Sequence, residues 1–266
     1  MDKCALCLNP RPLLNSHFIP RSLYKLCKKE FHEINNPIHF IGNTAISTSN
    51  QSSKPFLCKD CEDRFSKYGE TYVINNCLRS PSRFKLRELL ENSIIFTQFD
   101  NTKVFLGKQI LGENLEYYKY FVASIVWRGS ATKWPFMDST ARQNILGEKY
   151  QEEFRRYLLG EVDFPKNAFL SLFISEDKDL YPMIVLPNSD RKEGIHLHHF
   201  YIPGIEIKLF IGNKHPCEFE QIRIKDPSEV LIFLELFRNS ELFSSLAQSA
   251  KNAEYKGVLK KMNKCS

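Results

Sequence analysis

Eight cysteines carry the first chemistry in the 266-residue chain: Cys4, Cys7, Cys27, Cys58, Cys61, Cys77, Cys217 and Cys265. Four form two Cys-x-x-Cys pairs, Cys4-Ala-Leu-Cys7 and Cys58-Lys-Asp-Cys61. Two-residue spacing lets both thiolates of a pair reach one ion, and two pairs complete a tetrahedron. One pair alone would be ambiguous, because redox pairs share the spacing. Two pairs point to a structural Zn²⁺ on Cys4, Cys7, Cys58 and Cys61; the competing reading is two unrelated pairs of buried thiols. The other four cysteines read as small buried hydrophobes or incidental residues.

Between the pairs runs Asn15-Ser16-His17-Phe18-Ile19-Pro20, and the second pair opens Cys61-Glu62-Asp63-Arg64-Phe65-Ser66. This order resembles the zinc-containing HNH endonucleases, the ββα-metal or treble-clef-like nucleases. The form Ser-His-x-Ile-Pro followed by Cys-x-x-Cys-Glu resembles a subgroup of bacterial HNH-like proteins. The resemblance covers about residues 1–75. It implies a metal-dependent nuclease in which Mg²⁺ or Mn²⁺ stabilises the leaving oxygen. His17 would take the proton from the attacking water, and Glu62 would occupy the second metal position. It also implies a setting in bacterial restriction or anti-phage defence.

The chain departs from that pattern. Ser16 stands where the family has a metal-binding Asp, so the candidate catalytic-metal set is Ser16, Glu62 and Glu70. Glu70 lies two helical turns beyond Glu62 and could replace the missing carboxylate. The segment Asn43 to Lys54 sits where the family carries an Asn, with Asn43 and Asn50 as candidates. Two other readings stay open. A nuclease-derived zinc module could hold nucleic acid or a protein without cutting, with His17 merely orienting a ligand. A zinc knuckle could instead anchor an unrelated enzyme.

Arg21, Lys25, Lys28 and Lys29 recur at i, i+4, i+7 and i+8, so a helix would place them on one face. That face could hold phosphates or simply be solvated. The expected partners are nucleic acid, DNA before RNA, and a regulatory protein. His196, His198 and His199 read as ordinary strand residues, and Arg128 as buried against an acid such as Glu116 or Asp138.

These residues need elements to position them. Lys and Arg number 37 against 31 Asp and Glu, a net charge of +6 that permits a nucleic-acid partner without requiring one. No stretch approaches the roughly 18–20 apolar residues of a membrane span, and the first residues lack the apolar core of a signal peptide. A cytoplasmic protein without membrane contact is expected. The fold class reads as α+β: a zinc-bound module over 1–78, then an α+β domain over 79–266 for substrate selection, oligomerisation or a partner.

Helical spacing predicts helices over about 20–31, 59–75, 82–96, 115–129, 139–159, 227–238 and 240–252. Strands are expected over 103–106, 168–174, 183–186, 196–202, 205–211 and 219–224, with Pro203-Gly204 as a type II turn. Together the strands suggest a small antiparallel sheet. Residues 43–54, rich in Ser, Thr and Asn, read as a flexible loop.

Overall fold

Residues Leu115–Ala131 are apolar on nearly every side, and 13 of these 17 residues are buried. A helix of that kind belongs inside a protein, and the rest of the chain is arranged around it. The computed structural model describes residues 2–28, 36–41, 43–135, 144–192, 194–214, 216–224, 226 and 228–262.

The N-terminal part comprises β1 (Leu13–His17), α1 (Arg21–Leu26), β2 (Ile38–Ile41), β3 (Thr44–Ser47), β4 (Ser53–Cys58) and α2 (Lys59–Phe65). A π-helical turn (Ser66–Glu70) joins α2 to α3 (Thr71–Asn76). The middle holds α4 (Lys85–Glu91), β5 (Thr97–Phe99), β6 (Thr102–Leu106), α5 (Gly107–Leu111), α6 (Leu115–Ala131) and α7 (Gly147–Leu159). Then come β7 (Ala168–Ser175), β8 (Val185–Lys192), β9 (Ile195–Ile202), β10 (Ile205–Gly212), α8 (Cys217–Gln221) and β11 (Val230–Glu235). The chain closes with α9 (Glu241–Asn252), β12 (Glu254–Tyr255) and α10 (Val258–Met262).

The fold is mixed α+β, but its principal sheet is not small. Seven strands pair in the order β5-β6-β11-β7-β10-β9-β8. Nor is it wholly antiparallel, because β11 runs parallel to β7. The difference arises at 227–238, expected as a helix. Val230 to Leu234 is a continuous apolar run, buried on both faces of the sheet. Such a run has neither a strand's alternation nor a helix's stripe, so periodicity does not separate the two. The expected strand at 219–224 is instead α8 and a turn. Pro216, at φ −62°, precedes the helix and favours its start.

The hairpin at Pro203-Gly204 is as expected. Gly204 has φ +83°, and a Cβ there would lie 2.6 Å from the Phe84 ring, so only glycine fits. Residues 43–54 are more ordered than expected. β3 pairs with β2 and, in parallel, with β12, forming a three-stranded sheet. The first helix covers only Arg21–Leu26, and residues 29–31 of its expected span lie outside the described residues. Residues 139–143 of the helix expected over 139–159 do so as well.

One buried core runs from Cys4 to Phe237 and crosses residue 78 without a break. A smaller cluster, including Val104, Phe169, Phe210, Phe219 and Phe233, lies apart from it. Aromatic contacts bind the N-terminal part to α6: Phe56 lies 5.6 Å and Phe65 6.2 Å from Trp127. Gly69 permits the closest approach, since a Cβ there would stand 2.9 Å from the Phe121 backbone nitrogen.

Candidate functional site

β1 and β4 form an antiparallel pair with Leu13 opposite Cys58 and His17 opposite Ser53. The register slips between Leu14 and Asn15, and Asn15 then faces Pro55. Proline has no N–H to give a ladder, so it suits that irregularity. The pairing brings the first cysteine pair to the second. The Cys58 N–H donates to Cys4 Sγ at 3.3 Å, and Cys7 Sγ lies 4.0 Å from Cys58 Sγ. Leu8, with φ +61°, turns the first knuckle back, and its N–H donates to the Cys4 carbonyl at 2.9 Å. Cys58 caps α2 and Cys61 lies in its first turn, so the second pair shares one helix end.

All four sulfurs lie within 4.8 Å of one another. Tetrahedral coordination at a Zn–S distance of about 2.3 Å needs sulfurs roughly 3.8 Å apart, so the group fits one ion. The thiols also govern each other's protons. Hydrogen bonding to Cys61 draws Cys4 down to about 4, against the effect of burial. The same bond, then burial, pushes the Cys61 thiol up. A cation shared by four thiolates would remove that competition. Among the described residues, no other group of three or more His, Cys, Asp or Glu offers ligand atoms so close together.

The second candidate centre lies where β1 meets α6. His17 is half-buried at the end of β1. Burial, then Arg21 and Arg128, lowers its pKa against the pull of Glu70, so its imidazole is neutral near pH 7. Ser16 is buried and accepts the Leu57 N–H at 3.1 Å. Glu62 comes from α2. Burial pushes its carboxyl up, opposed by Arg128 and by the Ser16 hydroxyl. Its Oε1 is buried without a hydrogen-bond partner among the described residues.

Glu70 ends the π turn and is ion-paired with Arg128 of α6. Arg128 is buried against an acid as expected, but the acid is Glu70 rather than Glu116, which pairs with Lys119 at 2.8 Å; Asp138 lies outside the described residues. The Arg128 side chain is 2% exposed and sits 4.6 Å above the Phe65 ring centre. It also donates to the Phe18 carbonyl at 3.1 Å and the His17 carbonyl at 3.4 Å. A sequence signal existed in an arginine within the most apolar helix of the chain. Its partners lie 58 and 110 residues away, beyond the reach of spacing.

Arg21, Lys25 and Lys28 are exposed on or beside α1, and Lys29 lies outside the described residues. His196 and His199 stay in β9, where His199 Nε2 lies 3.1 Å from Glu206. His198 is buried against Ser189 Oγ at 2.7 Å, and its Nε2 has no partner among the described residues.

No family model matches the chain, and no solved structure matches it. A curated relative, "Cytochrome P450 705A1" of Arabidopsis thaliana, is 25% identical over 266 aligned positions, covering 90% of this chain and 49% of the relative. The chain thus spans about half the length of that relative, and the likeness defines no family for it. The resemblance to the HNH endonucleases is corrected by these findings: no model of that family matches, and the relative found belongs elsewhere. The motifs behind it were six residues and two knuckles, which any chain folding around a metal could share. No helix among the described residues is long and apolar enough to cross a membrane.

Proposed function

We propose that residues 1–78 act as a zinc-nucleated unit that cleaves phosphodiester bonds of nucleic acid with a divalent cation. The division at residue 78 is one of chemistry, since packing continues across it. Cys4, Cys7, Cys58 and Cys61 would hold Zn²⁺, fixing the end of β4 and the start of α2. The reading rests on two observations around Arg128: a His17 kept neutral near pH 7, and a Glu62 whose buried Oε1 has no hydrogen-bond partner among the described residues. A neutral imidazole can accept the proton of an attacking water.

Glu62 would hold Mg²⁺ or Mn²⁺, and such ions are often bound by one or two carboxylates together with substrate phosphate. The cation would supply charge stabilisation at the leaving oxygen. Ser16 would orient Glu62 rather than bind metal, because its hydroxyl already accepts a backbone N–H. Arg21, Lys25 and Lys28 would receive flanking phosphates.

The test incubates the full chain with plasmid, single-stranded DNA and RNA, with Mg²⁺ or Mn²⁺, beside His17→Ala. Metal-dependent cutting lost in the variant supports the reading. Equal product in both proteins sinks it. The Arg128–Glu70 pair favours a second reading, a zinc module that binds nucleic acid or a protein partner without cutting. A carboxylate neutralised by arginine is a weak ligand for a second ion. Tight, metal-independent binding with no product would select it.

A further inference from the structure

A cleft of about 970 Å³ opens between the π turn, α6, α7 and the segment after α7. It lies at the large end of the range for small-ligand sites. One wall is a continuous run of aromatic rings drawn from four separate segments. Tyr68 lies 5.8 Å from Tyr120, Tyr120 lies 5.9 Å from Tyr157, and Tyr157 lies 5.3 Å from Phe164. Tyr120 and Tyr157 are buried and hold the wall in place, the Tyr120 hydroxyl donating to the Leu158 carbonyl at 2.8 Å. Tyr68, at the mouth, is 40% exposed.

Cations gather around Tyr68 and along the lining. The Arg64 guanidinium stands 5.3 Å and the Lys67 ammonium 5.0 Å from the Tyr68 ring centre, and Lys166 lies on the lining. Glu113 and Asp163 also line the cleft. A ligand matched to this lining has a flat π-face for the rings, an anionic group for the cations and N–H groups for the acids. A nucleoside monophosphate unit has all three, and base–aromatic stacking with flanking cations is how single strands are held.

The geometry points to this cleft as a binding site for an unstacked nucleotide, a single-stranded segment of nucleic acid being the source. The choice of source rests on the proposed function; the cleft's chemistry does not. Arg64 follows Cys61 and Glu62 on α2, so one short helix contributes a residue each to the thiol cluster, the candidate centre and the lining of the cleft. A strand entering here would lie on the element that also presents Glu62.

The test uses the full chain carrying His17→Ala, so that no probe is consumed. Thymidine 5′-monophosphate and a short fluorescein-labelled oligothymidylate are titrated by calorimetry and anisotropy. Adding Tyr68→Ala should weaken both by about tenfold, whereas Tyr68→Phe, which keeps the ring, should bind as the parent does. Arg64→Gln should weaken both and flatten the salt dependence of the oligonucleotide. Binding of the oligonucleotide above the monophosphate supports a strand as the source, and the reverse supports a free nucleotide of the same chemistry. Unchanged affinity in Tyr68→Ala and Arg64→Gln overturns the site, as does failure of the folded chain to bind either probe. If the parent chain cuts nothing while these variants still lose binding, the nuclease reading fails and the cleft stands.

Discussion

The thiol cluster and the His17 centre are built on the same strand pair and the same helix, yet they hold their charges in opposite ways. At the cluster, four sulfurs face one another and contend for protons, so nothing within the protein satisfies all of them. At the centre, most groups are already occupied. Arg128 neutralises Glu70, and Ser16 receives a backbone N–H. Glu62 Oε1 and Arg128 Nε are left buried without a partner among the described residues. A cluster that needs a cation to reconcile its ligands behaves as part of the fold. A centre that is nearly complete without one would hold any ion loosely and share it with whatever is bound.

The sharpest way to break this comparison is at the sulfurs. Cys58→Ser should remove the bound zinc, expected at one ion per chain, and unfold the hairpin end. Zinc in such sites contributes on the order of 10 kcal/mol of folding free energy. Metal analysis with thermal denaturation reads both, and a Cys58→Ser chain that melts like the parent would make the cluster dispensable. Next comes Arg128→Met, which strands Glu70 in a largely buried place. Its cost should be about 3–5 kcal/mol in urea denaturation, and Glu70→Gln should relieve part of it in the double variant.

Acid separates the two regions from the sheet. His198 is 1% exposed, and burial lowers its pKa to about 3. In the unfolded chain a histidine titrates near 6.5. Above that value it is neutral in both states and contributes no pH dependence. As pH falls from about 6.5 towards 3, the unfolded chain takes up a proton that the folded chain refuses, so stability falls with pH. A chain carrying His198→Gln should lose less stability over that window, leaving the share due to the thiolates and to ion-paired carboxylates such as Asp177. A parallel decline in both chains would show that His198 contributes nothing to it.

The smallest stability effect is expected from His17→Ala, within about 0.5 kcal/mol, because the imidazole is half-exposed. The same change should lower cutting by about 10²–10⁴ if His17 is the base. A large loss of stability with little change in activity would reverse the roles assigned to the two regions.

Local chemistry was readable from the sequence and distant chemistry was not. The cysteine pairs announce themselves because a knuckle must place two ligands within a few residues. α6, β7, β9 and β10 follow from apolar runs with clear turns around them, and the Pro203-Gly204 hairpin from the demands of its own backbone. β11 escaped because a strand buried on both faces shows no alternation. The size of the sheet escaped with it, since β11 joins the β5-β6 edge to β7. The partners of Arg128 and the aromatic cleft were invisible for another reason. Each is assembled from segments far apart in the chain, and nothing in the spacing of Arg64, Tyr120 and Tyr157 records that they meet.

The π turn has one consequence of its own. A π turn closes its hydrogen-bonded loop with one residue more than an α turn. Wound as regular α with the same residues, the turn would rotate everything beyond it by about 100° relative to α2. Glu70 would swing away from Arg128, and Gly69 would no longer meet Phe121, although no residue of the cluster or the centre had been altered. The extra residue therefore works as a gear tooth between the thiol-bearing helix and α6. Engagement of the two halves is set by residue count as much as by residue kind.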